Sequence, residues 1–530
     1  MPNTAEARKT ELLDQIVREV RAAAGREADE AEWFARRYYA PVAPKDVLSR
    51  ELHHLAGAVL ALWRFAEERQ PGRIKVRVYN PTVGEHGYHT EHTVAEVVND
   101  DMPFLVDSVT GELNRRGRTV HLVVHPLVPV HRDEEGRRIG MGADGESPVE
   151  SLIHVELDQE TDAQAMAEIE HALAKVLSDV RMVVDDWRPM RQRIGDVVRH
   201  LGLGHPAVGW EYAEESQALL QWIEDNHFTF LGYREYRLAP DGSGEGAGEA
   251  GEPEVQVVPG SGLGILRGED AETFPLSPET VQGTGRNPLL VISKAGRRAT
   301  VHRTVHMDYV GVRRLDEEGR TIGGWSFVGL LTSGVYHSSA ATIPFVRRKI
   351  QEVMSRAQLP SASHDAKALL HILETFPRDE LFQMTEDELY ETSLGILQLQ
   401  DRQRLALFVR EDRSKRFVSC LVYVPRDRYN TELRARMQEI LAEAFQGEIS
   451  AFYTQVADSP LARAHFIVRT RPGEIPEYDV HEIENRLAEA ALSWICANDI
   501  AKPPGSLTYT QMLNAHGGIE CDLTVARLSP

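Results

Sequence analysis

The chain has 530 residues, 42% hydrophobic and 26% charged, the balance of an ordinary globular protein rather than a disordered one. Acidic side chains outnumber basic ones by 81 to 59, a formal charge of -22. A surface that negative repels phosphate backbones and anionic headgroups, so neither nucleic acid nor membrane is an expected partner. Length leaves room for roughly three to four domains. No apolar run approaches the roughly 18 residues of a membrane span. The opening MPNTAEARKTELLDQ lacks the basic and apolar stretches of a secretion signal. Cys420, Cys496 and Cys521 are too few for a disulfide framework or a four-cysteine zinc site, so a reducing cytoplasm is expected.

Residues 4–69 read as helical, punctuated at Gly25, Pro41 and Pro44 and closed by Pro71-Gly72. The period then changes. Residues 74–80 and 93–99 are rich in Val, Tyr and Thr and predict strands. Leu105, Val109 and Leu113 share one face of a helix over about 102–116. Residues 119–131 read as one long strand and 151–157 as another. Thr161 and Gln164 stand at capping-box spacing before the stripe Met166, Ile169, Leu173, Val176 and Val180. The order is strand, strand, helix, strand, strand, helix.

That order recurs further on. Residues 405–410 and 416–424 predict strands, the second apolar on both faces as a central strand is. A helix follows over 430–445 with the stripe Leu433, Met437, Ile440, Leu441 and Ala444. Residues 449–455 and 464–469 predict strands, and Asp479 and Glu482 cap a last helix through Ile483, Leu487, Ala490 and Trp494. Two copies of one sandwich are expected, each with two helices on one face of an antiparallel sheet. Between them, residues 228–238, 289–294, 300–305, 309–315 and 321–331 read as strands. Helices follow over 343–357, 363–373 and 386–399, the last opened by Thr385 and Glu388. A hairpin over 507–528 ends the chain.

Short motifs mostly favour plain readings. GAGEAG, from Gly246 to Gly251, has the spacing of a dinucleotide fingerprint, but no helix follows it and Glu245, Glu249 and Glu252 would repel a pyrophosphate. GSGLGILRG, from Gly260 to Gly268, likewise reads as a tight loop. His86, His89 and His92 lie three apart, which converges on neither strand nor helix, so no metal is expected there. His121, His125 and His131 share a Val-rich strand and read as structural. The strand-to-helix loop 99–104 carries Asp100, Asp101, Met102 and Phe104, and its counterpart 425–430 carries Arg426, Asp427 and Asn430. Both loops are explained by helix capping and dipole compensation. They are also the candidate effector sites, because helix-terminal amides suit a carboxylate and an aspartate suits an ammonium.

Several long strings carry a resemblance. NDDMPFLVDSVTGELNRRG (99–117), HPLVPVHRDEEG (125–136), WIEDNHFTFLGYREYRL (222–238), TVHRTVHMDYVGVRR (300–314), RDELFQM (378–384) and RFVSCLVYVPRDRYNTELR (416–434) resemble the large bacterial NAD-specific glutamate dehydrogenases. The likeness runs from about residue 32 to 494, with departures such as Tyr88, where that family usually has Trp, and the less basic GGWSF at 323–327. It implies an α+β multidomain chain, with two ACT-like sandwiches flanking a PAS-like domain with helical connections. The expected division is a helical segment at 1–70, ACT-like domains at 71–180 and 401–495, a PAS-like domain with lead-in helices at 181–340, a helical connector at 341–400 and an unrelated tail at 496–530. That family's Rossmann and glutamate-binding domains lie further along a longer chain. No catalytic residue carries over, and NAD is a cofactor of the full-length enzyme and of none of these residues. A regulatory and assembly region that self-associates, with an amino-acid effector, is the implied function. The other readings are a freestanding ACT-type amino-acid sensor and a fragment of a folate-dependent one-carbon enzyme. This last reading rests on 502–528, which resembles the aminomethyltransferase domain of glycine-cleavage T protein and dimethylglycine dehydrogenases, Asp522 matching the carboxylate beside the folate. The junction near 494–497 is expected to mark a truncated or mis-joined gene.

Overall fold

The computed structural model describes residues 4–142, 148–238, 255–268, 289–399, 402, 404–413, 415–456, 459–471 and 473–500. The chain divides into two units, residues 1–275 with 287–337 and residues 276–286 with 338–530.

The first unit opens with α1 (Thr4–Ala24), α2 (Ala28–Tyr39), α3 (Pro44–Leu48) and α4 (Leu52–Phe65). Pro44 stands in the first turn of α3, where no backbone N–H is needed. Ile16, Val20, Phe34, Tyr38, Val59 and Leu62 are buried on the inward stripes of these helices, in one core with Val98, Val124, Val128 and Leu152 of the sheet that follows.

That sheet comprises β1 (Lys75–Tyr79), β2 (Thr93–Asp100), β3 (Val120–Val124), β4 (Leu127–Arg132), β5 (Arg138–Met141) and β6 (Val149–Leu157). Short α5 (Val83–His86) and α6 (Leu105–Arg115) interrupt it, and α7 (Ala163–Leu201) follows. The order is β1-β2-β6-β4-β5, with β3 also on β6, and every pairing is antiparallel. The long strand expected over 119–131 is interrupted at His125-Pro126, since proline has no N–H to give the ladder. Register survives the break: Val124 pairs with His154 and Leu127 with Ser151. The expected cap Thr161 gives way to Asp162, whose carboxylate accepts from the Gln164 and Ala165 amides. Helix α7 then runs for 39 residues through Pro189, well past the stripe read in the sequence. Because strand side chains alternate, Val97 with Ile153 and Val155 turn to one face of the sheet, toward α6 and α7. Glu96 and Val98 with Leu152, His154 and Glu156 turn to the other, toward α1–α4.

The rest of this unit is α8 (Trp210–Trp222), β7 (Phe228–Leu238), β8 (Val255–Val257), β9 (Leu263–Gly264), β10 (Leu290–Arg298), β11 (His306–Leu315), β12 (Thr321–Leu331) and α9 (Ser333–His337). Its sheet order is β10-β11-β12-β7-β8, with β9 on β7. The strand expected over 300–305 is a loop instead. It bonds to itself, the Ala299 amide donating to the Val305 carbonyl and Arg303 to Val301, and it turns at His302, which has φ 68.

The second unit holds α10 (Val346–Ala357), α11 (His364–Thr375), α12 (Arg378–Gln383) and α13 (Glu386–Leu399). There follow β13 (Ala406–Glu411), β14 (Phe417–Pro425), α14 (Thr431–Ala444), β15 (Glu448–Gln455), β16 (Leu461–Arg469) and α15 (Val480–Ile500). The antiparallel order β13-β14-β16-β15 repeats β1-β2-β6-β3, with the helices at the same places in the chain. The capping box at Thr385 and Glu388 forms with both reciprocal bonds, and Asp479 accepts from the His481 and Glu482 amides. Val418, Cys420, Val422 and Val424 of β14 and Ala464, Phe466 and Val468 of β16 share a core with Leu433, Met437, Ile440 and Leu487. On the opposite face, Phe408 and Tyr423 pack with Leu399 of α13. In each unit, therefore, the repeated sheet has helices against both faces, where the sequence promised only one covered face. The 507–528 hairpin and GAGEAG lie outside the described residues.

Candidate functional site

The loop after β2 holds the first set of sequence-predicted site residues. Asp100 is held by Arg69 at 2.6 Å and Arg181 at 2.7 Å. Burial works against its charge, yet the two guanidiniums keep its carboxyl below the usual range. Asp101 is exposed and accepts from the Ser151 hydroxyl at 2.7 Å. Met102 is half-buried between them in sequence and Phe104. Helix α6 starts at Leu105, three residues later than expected, because Phe104 takes a left-handed φ of 72. Its ring lies 5.0 Å from that of His302. The His302 amide donates to Ser108 Oγ, and its ring nitrogen lies 2.9 Å from Asp107. The N-terminus of α6 is thus approached by the 299–305 loop, and Asp100 before it is committed to two arginines.

The second loop is simpler. Asn430 caps α14 by accepting from the Leu433 amide, the Arg426 amide donates to the Pro460 carbonyl, and the Arg426 and Asp427 side chains are exposed.

The glycine loop at 260–268 tests whether a dinucleotide fits. The Gly264 amide donates to Asp186 at 2.7 Å, and Arg267 also pairs with that carboxylate. A Cβ on Gly262 or Gly264 would meet backbone oxygens at 2.1 and 2.2 Å. The loop is closed on the protein's own carboxylate, so a pyrophosphate does not fit there.

The histidines have ring and hydrogen-bond neighbours. His86 stacks on Tyr79, His92 stacks on His121, and the His89 amide donates to His54 Nδ1 at 3.2 Å. Glu51, His53 and His54 each bring one ligand atom within 4.8 Å of the others. Since His54 Nδ1 accepts a hydrogen bond, its neutral ring carries the proton on Nε2 and presents a donor rather than a metal lone pair.

A second charge cluster has little signature in the sequence. Glu96, His154 and Glu156 are buried where the β2–β6 sheet meets the α1–α4 layer. His154 Nδ1 lies 3.1 Å from Glu96, and its Nε2 lies 3.7 Å from Glu156. Arg77 pairs with Glu96 at 2.5 Å, and Arg50 holds Glu156 through both terminal nitrogens. Burial pushes the His154 imidazole down, but the two carboxylates outweigh it and raise it to about 9. Burial pushes Glu156 up, and His154 and Arg50 overcome this to hold it at about 2. Beside this network opens a cleft of about 460 Å³, lined among others by Tyr38, Arg50, His54, Tyr88, His154 and Glu156. The available signal was HVE in β6, two ionisable groups at strand spacing within an apolar run. Arg50 comes from the turn between α3 and α4 and His54 from α4, both about 100 residues away, and they had none.

An analogous device joins β13 and β16 to the helices of the second unit. Glu380 of α12 takes Arg410 in a fork at 2.6 and 2.9 Å, and His465 Nε2 lies 2.8 Å from Ser419 and 3.6 Å from Glu380. Burial would raise the Glu380 carboxyl, but Arg410 and His465 hold it at about 2. Lys349 is buried and donates to the carbonyls of Leu381, Phe382 and Met384, with burial drawing its pKa down to about 7. Arg378 donates to the carbonyls of Glu374, Phe376 and Ser338. RDELFQM is therefore a joint between a sheet and its helical cover.

Known proteins match these same pieces. Residues 34–173 match the model of the glutamate dehydrogenase ACT1 domain, 343–402 that of helical motif 1, and 406–495 that of the ACT2 domain. Over 501 residues the chain is 38% identical to the NAD-specific glutamate dehydrogenase of Halomonas elongata, covering 92% of this chain and 30% of that protein. Most of the chain is glutamate-dehydrogenase-like. The enzyme of the same name from Pseudomonas aeruginosa is 36% identical over 469 residues, and that from Mycobacterium tuberculosis 31% over 419. The chain spans 28% and 24% of those two glutamate dehydrogenases. A stretch of 43 residues is 54% identical to human mitochondrial sarcosine dehydrogenase, 8% of this chain and 5% of that protein. Among the described residues no helix is long and apolar enough to cross a membrane.

Proposed function

We propose that these residues form a regulatory and assembly region of an NAD-dependent glutamate dehydrogenase, whose reaction converts glutamate and NAD to 2-oxoglutarate and ammonia elsewhere than on the groups described above. One observation carries this reading. In both ACT-matched sheets a buried carboxylate–arginine pair ties the sheet to the helical layer against it, Glu156 with Arg50 and Glu380 with Arg410. Such pairs specify how layers meet and offer no acid or base to a substrate. The six-stranded middle sheet is, in this reading, the PAS-like domain. Self-association has a surface in β15, an edge strand of its sheet with Phe452 and Tyr453 exposed. An amino-acid effector at the 100–104 and 425–430 loops completes the reading.

The purified 530-residue protein should not reduce NAD with glutamate, and measured turnover would overturn the assignment. Calorimetry with a panel of amino acids, repeated on Asp101→Ala and Arg426→Ala, tests the loops. Binding that survives both substitutions removes them as effector sites.

A further inference from the structure

We propose that the cleft between the α3–α4 corner and the β2–β6 sheet binds a small carboxylate of single negative charge. It goes beyond the loops and rests on none of their residues. The cleft holds about 460 Å³, within the range of roughly 300–1,000 Å³ typical of metabolite pockets. Its floor is charged and buried. His154 is 1% exposed, and its Nε2 has no hydrogen-bond partner, only the 3.7 Å approach to Glu156.

Charge around that floor does not cancel. Within the buried floor alone, Arg50, Arg77 and a His154 protonated between two carboxylates stand against Glu96 and Glu156, one positive charge more than negative, while Glu51 and Glu91 at the rim are exposed to solvent. An unmatched buried charge is costly, and a monoanion in the cleft supplies the missing partner. The donors suit a carboxylate. Arg50 gives one N–H from each terminal nitrogen to Glu156, which leaves its other N–H groups for a second acceptor. His54 also lines the cleft, and the hydrogen bond from the His89 amide to its Nδ1 leaves Nε2–H as a donor. Acids line the same cleft: Asp46, Glu51 and Glu91. Three carboxylates tolerate one incoming negative charge balanced by the floor and repel the second charge of a phosphate or sulfate.

Calorimetry on the full chain decides this, with pyruvate, 2-oxobutyrate, lactate and glutamate as monoanions and phosphate and sulfate as comparison ions. At least one monocarboxylate should bind with a Kd of about 1 mM or tighter, and at least about tenfold more tightly than phosphate. His54→Ala removes only a partly exposed donor and should weaken binding about tenfold without moving the thermal midpoint. Arg50→Lys keeps the charge, loses the fork, and should weaken it further. Asp101→Ala and Arg426→Ala should leave it unchanged. The proposal falls if no monocarboxylate binds at about 10 mM, if phosphate or sulfate binds as tightly, or if His54→Ala binds like the parent. Binding lost in Asp101→Ala or Arg426→Ala and kept in His54→Ala also overturns it, while leaving the effector loops in place.

Discussion

Replacing Glu380 by alanine should be among the most damaging single changes in the second unit. Glu380 is 2% exposed and Arg410 9%, and the fork between them is made at 2.6 and 2.9 Å. Removing one member of a buried pair strands the other, at a cost of about 3–5 kcal/mol. The electrostatics give a similar figure, because lowering the Glu380 carboxyl from 4.5 to about 2 corresponds to about 3 kcal/mol. The sign follows: the folded pKa lies below the unfolded one, so the stabilisation is complete above about pH 4.5 and fades as pH falls toward 2. Urea unfolding of the parent and Glu380→Ala at neutral pH and at about pH 3 measures both. Glu380→Leu with Arg410→Met removes the whole pair and should recover most of the loss, since a matched apolar replacement leaves no orphan charge. A loss below about 1 kcal/mol for Glu380→Ala, or a double variant as weak as the single one, would refute the account.

His154→Gln should destabilise the first unit by about 3 kcal/mol at pH 6. Since the folded imidazole titrates at about 9 against an ordinary 6.5, the gap between parent and variant should close as pH rises through 9, read from urea midpoints across that range. Gly57→Ala should lower the thermal midpoint, although alanine ordinarily favours a helix interior by about 1 kcal/mol; its Cβ would stand 2.5 Å from the Gly87 carbonyl oxygen and 2.6 Å from Tyr88 Cβ. A raised midpoint would mean that α4 does not pack on that turn. Asp162→Ala should cost about 1 kcal/mol through loss of the α7 cap and Thr161→Ala far less, a contrast that denaturation of the two variants reads directly.

Regular patterns made the fold legible in the sequence. Short apolar runs such as 416–424 and spaced stripes such as Leu433, Met437, Ile440 identified the repeated element order, because each element's own side chains encode the faces it buries. Interruptions were harder. Pro189 reads as a helix breaker, yet α7 continues through it and buries Met190, Ile194 and Val197 beyond. The loop 300–305 has the β-branched composition of a strand, but its conformation depends on contacts with Ser108 and Asp107, almost 200 positions away in the sequence. The site was least legible for that same reason. Asp100 looked like a free acid until Arg69 and Arg181 arrived from 31 and 81 residues away, and the Arg50–Glu156 contact joins residues 106 apart. Local composition names the charged groups, and only the fold says which of them cancel.

Helix α7 has a mechanical consequence. At about 1.5 Å of rise per residue its 39 residues form a rod about 58 Å long. Glu170 accepts from the Val78 amide of β1, Arg181 holds Asn99 and Asp100, and Asp186 holds the glycine loop beside β7. Two sheets are thus bolted to a single stiff shaft, with the bolts at 181 and 186 little more than one turn apart. A ligand that drew Arg181 away from Asp100 would loosen one bolt while Asp186 still gripped the other, and the motion would be delivered as a twist or slide of the whole shaft. In such a layout the distance a signal travels is set by the length of one helix and not by a relay of side chains.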